Sequence, residues 1–205
     1  WESLVHGGTS QDARVVLSLR APRTIAALII GGALGLAGSI MQAMTRNPLA
    51  DPGILGVNAG AAFAVVSATA VMGVSTRAVT LGAALIGAGV ASALIFALSG
   101  RGARASRARL ALAGIVVSAA LASLTSAVLT ANQFAFNEFR YWASGSFEGI
   151  GVDSLVLASV VIGGGTVLGA LLTSALGILT LGDEVAVGLG VRVRLVRGLA
   201  TLAVT

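Results

Sequence analysis

Stretches of more than twenty residues without a charged side chain recur along this sequence, at 24–44, 54–76, 78–100, 110–137 and 154–182. An α-helix rises 1.5 Å per residue, so about 20 residues cross the ~30 Å hydrocarbon core of a bilayer. Each run is long enough for a membrane-spanning helix. The expected fold is all-α, a polytopic transmembrane helical bundle in one domain covering 1–205. Its spans are expected at about 24–44, 54–76, 78–100, 110–133 and 154–180, with the start of another at 195. A set of helices buried in a water-soluble core is the competing reading. Composition argues against it: 56% of the residues are apolar and 10% charged, where soluble domains carry about 25% charge. A mean hydropathy of +0.96 leaves too little polar surface for water. The chain begins at Trp1 with no secretory signal pattern, and its last apolar run stops at Thr205. It reads as a piece of a longer chain.

The cationic residues are all arginine, and their placement sets the topology. Arg46, Arg101, Arg104, Arg107, Arg109, Arg192, Arg194 and Arg197 fall in one set of alternate loops; Arg14, Arg20, Arg23, Arg77 and Arg140 fall in the other. The richer set is expected in the cytoplasm. On the outer side, Phe134, Phe136, Phe139, Tyr141, Trp142 and Phe147 crowd together, interleaved with Glu138, Arg140 and Glu148. Aromatic rings favour the headgroup layer, so 134–149 is expected to be an interfacial segment ended by Gly145, Gly149 and Gly151. Gly31, Gly35, Ser39 and Ala43 recur every fourth residue, and Gly165 and Gly169 repeat the spacing; such stripes let membrane helices approach closely.

Several chemistries are excluded. Without lysine there is no Walker A loop, so the chain does not itself hold ATP through a P-loop lysine. Without cysteine there is no thiolate ligand or nucleophile. The one histidine, His6, lies outside every span, which leaves an intramembrane protease no Ser–His pair. No His or carboxylate pair has metal-ligand spacing, and no metal or cofactor is expected. None of the uncharged runs carries the ionisable group that a proton-coupled carrier needs, so an ion-coupled secondary transporter is a remote alternative.

The three prolines mark two compact motifs. Pro22 sits in Arg20-Ala21-Pro22-Arg23, where proline suits the first turn of a helix and the two arginines share a face. Pro48 and Pro52 sit in Arg46-Asn47-Pro48-Leu49-Ala50-Asp51-Pro52-Gly53, a turn-forming run followed by Leu55-Gly56-Val57-Asn58-Ala59-Gly60-Ala61. After 182, Asp183 is a candidate helix N-cap, Glu184 favours the positive end of the helix dipole, and Gly190 can close a short helix over 185–189.

These motifs resemble the FecCD family of ABC importer permeases, which carry iron–siderophores, haem and vitamin B12. The similarity runs from Leu19-Arg20-Ala21-Pro22-Arg23 through Met41-Gln42-Ala43-Met44-Thr45-Arg46-Asn47-Pro48-Leu49-Ala50-Asp51-Pro52-Gly53-Ile54-Leu55-Gly56-Val57. It continues at Leu112-Ala113-Gly114, Tyr141-Trp142-Ala143-Ser144-Gly145-Ser146, Leu181-Gly182-Asp183-Glu184 and Leu189-Gly190-Val191. The resemblance implies a permease subunit of a dimer in the bacterial plasma (inner) membrane, a transport protein and not an enzyme. Separate ABC ATPase subunits would hydrolyse ATP, an extracytoplasmic siderophore-binding protein would deliver the chelate, and the second permease subunit would be identical or paralogous. It further implies a cytoplasmic coupling helix at 183–191, with Gly182, Asp183, Glu184, Leu189 and Gly190 facing the ATPase. Arg20 and Arg23 would dock the binding protein. Ser39, Gln42, Asn47, Pro48 and Asn58 are candidates for the pathway or a re-entrant turn. Iron–siderophore complexes are the favoured cargo, with vitamin B12 or haem as the alternative.

Overall fold

The computed structural model describes residues 15–99, 107–147 and 152–205, with the side chains of 107–108 and 152–154 left undescribed. His6, Arg14, Arg101, Arg104, Glu148, Gly149 and Gly151 lie outside the described residues. All regular structure among those described is helical: α1 Ala21–Thr45, α2 Val57–Met72, α3 Arg77–Leu98, α4 Arg107–Ala131, α5 Gln133–Ser144, α6 Val152–Leu181, α7 Asp183–Gly188 and α8 Val193–Val204. Four helical stretches are long and apolar enough to cross a membrane, namely Val16–Thr45, Arg77–Leu98, Arg109–Ala131 and Leu155–Leu181.

Two local departures from expectation have clear causes. Pro22 does not open the first helix. A π-helical turn, Val16–Arg20, precedes α1, and the Ala21 N–H donates to the Val16 carbonyl five residues back. Proline supplies no N–H for the ordinary four-residue bond, and the wider turn accommodates that loss inside a continuous helix. The run expected to span 54–76 is divided. Pro52–Leu55 forms a separate 3₁₀ turn, opened by Asp51, whose carboxylate accepts from the Gly53 N–H. Helix α2 then has 16 residues and stops at Gly73, which is left-handed with φ 64°. At 1.5 Å per residue α2 is about 24 Å long, short of the ~30 Å apolar layer.

The 3₁₀ turn extends the path of α2, and its last residue is buried within the chain. Leu55 is fully enclosed and its carbonyl accepts a bond from Ser92 Oγ of α3 at 3.3 Å. The Ile54 carbonyl lies against Gly114 of α4, where an added Cβ would stand 2.0 Å from the oxygen. Non-helical backbone at membrane depth is tolerated where protein covers it, and α3 and α4 do so here. Helices α2 and α3 meet backbone to backbone: a Cβ on Gly60 would lie 2.3 Å from the Gly87 carbonyl oxygen, and one on Gly87 equally close to that of Gly60. A second packing group joins α1, α6, α7 and α8 around Ile40, Met41, Met44, Leu172, Leu176, Leu179, Ala186, Val196 and Ala200, with Leu55 among them.

Candidate functional site

The polar groups of the bundle gather at its two ends. At the end assigned to the cytoplasm, α1 finishes at Thr45 and the next residue, Arg46, takes left-handed backbone angles, φ 50° and ψ 40°. It is the one non-glycine residue with positive φ among those described. The Arg46 and Asn47 N–H groups both return to the Gln42 carbonyl, closing α1 as a turn that usually places glycine at this position. Holding arginine there costs about 1–2 kcal/mol. The conformation sends its guanidinium across to the end of α6. Arg46 Nε donates to the Leu179 carbonyl at 2.7 Å, in the last turn of α6, where the Gly182 N–H also donates at 3.3 Å. Arg46 Nη2 donates to Asp183 Oδ1.

Asp183 is also held by Arg197 of α8, whose Nη2 lies 3.0 Å from Oδ2 and 3.1 Å from Oδ1. The three side chains are 20%, 33% and 19% exposed for Arg46, Asp183 and Arg197. Half-sheltered charge pairs of this kind keep more of their attraction than fully exposed ones. Gly182 turns the chain between α6 and α7 at φ 131° and ψ 149°, a region open essentially to glycine.

The expected capping role of Asp183 is corrected by this geometry. Gly182 is the N-cap and no side chain caps α7; Asp183 is its first residue, and its carboxylate is engaged by the two guanidinium groups instead. Glu184 lies in the first turn and is exposed. Leu189 follows α7, and Gly190, at φ 81°, completes the closure: the Gly190 N–H donates to the Val187 carbonyl and that of Val191 to the Ala186 carbonyl. Val185, Val187 and Leu189 are 48%, 64% and 61% exposed, while Ala186 is fully buried. The short helix thus sets one small residue inward and an apolar outer face toward whatever lies beyond.

At the opposite end, Arg20 closes the π turn and Arg23 lies in the first turn of α1, both exposed. Arg23, Thr24 and Ala27 line an open recess of about 550 Å³ with Ser146 and Phe147. Beside it lies α5, the aromatic segment. Asn132 caps it, accepting from the Ala135 N–H at 2.9 Å, and its own amide reaches the Ala70 carbonyl at the top of α2 at 3.4 Å. Phe139 and Trp142 stack with centroids 5.6 Å apart, and Tyr141 is 77% exposed.

The remaining sequence-derived residues do not converge on one point. Ser39 and Gln42 are exposed on α1, in register with Gly31 and Gly35, and Ser39 Oγ donates back to the Gly35 carbonyl. Asn58 is exposed at the start of α2. Asn47 and Pro48 belong to the turn after α1, where Asn47 Oδ1 accepts from the Leu49 N–H at 3.0 Å. Among the described residues no group of His, Cys, Asp or Glu is arranged to hold a metal ion. Sequence reasoning used Arg46 for topology and as the start of a turn motif, and Arg197 for topology alone. The usable signal was an arginine where a helix-ending turn ordinarily takes glycine.

Fold and end-clusters together define a multi-spanning helical membrane protein whose charge resides near its helix ends and connections. Residues 1–205 match the FecCD transport family, and the chain belongs to that family. It is 46% identical over 199 residues to the ferric enterobactin transport system permease protein FepD of Escherichia coli (strain K12), covering 96% of this chain and 59% of that protein. It is 38% identical over 186 residues to the hemin transport system permease protein HmuU of Yersinia pestis, covering 87% of this chain and 54% of that one. Among solved structures it resembles a chain described as a metal-chelate-type ABC transporter in an inward-facing conformation. That match has a TM-score of 0.80 and 26% identity, over 94% of this chain and 62% of the other. This chain therefore spans less than two thirds of each.

Proposed function

We propose that this chain is the larger part of a permease subunit of an ABC importer that moves iron–siderophore complexes inward across a bacterial plasma membrane. The observation that carries the reading is 46% identity, over nearly the whole chain, to a ferric enterobactin permease. Separate ATPase subunits supply the energy, an extracytoplasmic binding protein delivers the chelate, and a second permease subunit forms the other wall of the pathway.

The geometry of the two ends supports a separate task for each. The outward apolar face of α7, with Glu184 at its start, fits an ATPase surface. Exposed Arg20 and Arg23 suit acidic groups on a binding protein, setting orientation and association rate more than affinity. The exposed Gly31, Gly35, Ser39 and Gln42 stripe of α1 offers a smooth, weakly polar wall, from which a bulky chelate is readily released. Haem is the second reading, supported by 38% identity to the hemin permease.

The test uses the full-length parent: uptake of radiolabelled ferric siderophore in cells with the gene deleted, restored, or restored as Arg20→Glu/Arg23→Glu. Deletion should abolish uptake, and the charge reversal should reduce it several-fold at normal membrane abundance. Unchanged uptake after deletion, in a strain with no second importer, would rule out the siderophore and leave haem as the next cargo to assay.

A further inference from the structure

We propose that Arg46 and Arg197 are positioning residues for transport, which act through Asp183 to make α7 move as one piece with the end of α1 and the start of α8. This rests on the reading of α7 as the ATPase-facing element. Arg46 and Arg197 are the new assignments.

A six-residue helix has no stability of its own, so whatever holds α7 determines what moves with it. Two attachments are visible. Ala186 is buried against the α1–α6–α8 core, and a single methyl group gives little grip. Asp183 is the directional attachment, because its carboxylate is shared by a guanidinium from α1 and another from α8, 137 and 14 residues away in sequence. Arg46 simultaneously holds the Leu179 carbonyl of α6, so one planar group spans three chain segments. Planar, forked donors resist rotation in a way a lysine ammonium does not.

The backbone supports this reading. A glycine at 46 would adopt the left-handed turn without strain, yet arginine stands there. At 182 the converse holds: glycine is used where its φ of 131° fixes Asp183 at the start of α7. The strain at one position and the glycine at the other serve the same contact. A push on α7 is therefore delivered along charge-assisted bonds to α1 and α8, whereas the α2–α5 group receives it through the connecting turn at 47–56, apolar packing and weaker hydroxyl bonds.

The experiment reconstitutes the full-length permease with its ATPase subunits and substrate-loaded binding protein in proteoliposomes. It compares wild type with Asp183→Asn, Arg46→Gly, Arg46→Lys and Asp183→Glu. Chelate transported per ATP hydrolysed should fall at least fivefold in Asp183→Asn and Arg46→Gly and about as far in Arg46→Lys, while Asp183→Glu recovers at least half. An unchanged ratio overturns the proposal. So does a proportional fall in both rates, which would mean that the cluster only seats the ATPase.

A second readout needs no siderophore. Spin labels at Leu28 of α1 and Val71 of α2, both strongly exposed, report ATP-driven displacement between the two groups in a cysteine-free full-length background. Asp183→Asn should abolish the change seen in wild type. A change that persists in the variant, or none in wild type, overturns the proposal. If wild type carries no iron–siderophore but the label response still depends on Asp183, the cargo assignment fails and the link stands.

Discussion

Replacing Gly60 with alanine tests whether backbone contact between α2 and α3 is a principal source of this bundle's stability. The added Cβ would sit 2.3 Å from the Gly87 oxygen and 2.5 Å from the Ala91 Cβ. Tolerable carbon–oxygen contacts begin near 3.3 Å, so the helices must separate by about 1 Å. Neither obstacle is a flexible side chain. A radial gap of that size forfeits up to about half of each dispersion contact along the seam, and lipid supplies no hydrophobic drive to restore it. Overpacking costs about 1–3 kcal/mol, here at the upper end, against a gain of about 1 kcal/mol in helix propensity. The net expectation is destabilisation by about 2 kcal/mol. Gly82, with nothing within 4 Å of its added Cβ, is the control, and Gly82→Ala should be neutral or stabilising. Because Gly87→Ala opens the same gap, the double variant should cost clearly less than the sum of the singles. Reversible SDS denaturation of the full-length parent in mixed micelles measures all four. Equal stability of Gly60→Ala and Gly82→Ala, or strict additivity of the pair, would refute the close-contact account.

Leu55→Ala should cost about 3 kcal/mol in the same assay, since it empties a fully enclosed site; a loss below about 1 kcal/mol would mean the site collapses freely. Asn132→Ala removes the cap of α5 and its bond to Ala70, and should cost about 1 kcal/mol. Hydrogen exchange confined to the first turn of α5 should rise accordingly. With every other tryptophan of the full-length parent replaced by Phe, Trp142 fluorescence should be quenched more by lipids brominated near the headgroup than near the chain end; the reverse order would place α5 at the wrong depth.

Helix identity was readable because charge is excluded from the apolar layer, leaving a signal as plain as run length. Proline, glycine and aspartate at 46–53 announced a turn, although the helix expected to open at 54 begins only at Val57, and aromatic crowding drew attention to the segment that forms α5. Packing partners were not readable. The stripe of Gly31 and Gly35 drew attention through its spacing, yet an added Cβ at either meets nothing within 4 Å among the described residues. Gly60, in the small-residue run that follows Leu55, makes the close contact, and its partner Gly87 carried no signal that named it. Of the periodic glycines, Gly169 packs on Ile40 and Leu36, and Gly165 lies close to the Ala203 carbonyl of α8. Spacing reports which faces are smooth; which smooth face meets another depends on helix tilt and crossing point, set by the whole bundle. Asp183 was identified as important with the wrong local role, because a carboxylate at a helix start is ordinarily a cap. Its true partners lie on other helices.

Leu55 gives its side chain to the core of α1, α6 and α8 and its carbonyl to Ser92 of α3, and Ser92 Oγ in turn accepts from Thr205 Oγ1 at the end of α8. The two helix groups thus share a rivet whose two heads are unequal. Extracting the leucine costs about 3 kcal/mol, whereas a hydroxyl bond of this kind contributes about 1 kcal/mol. Under shear the rivet stays with α1, α6 and α8 and slips free of α3 first. The seam has a preferred side on which to open, and Ser92→Ala should speed its opening at a cost of about 1 kcal/mol in overall stability.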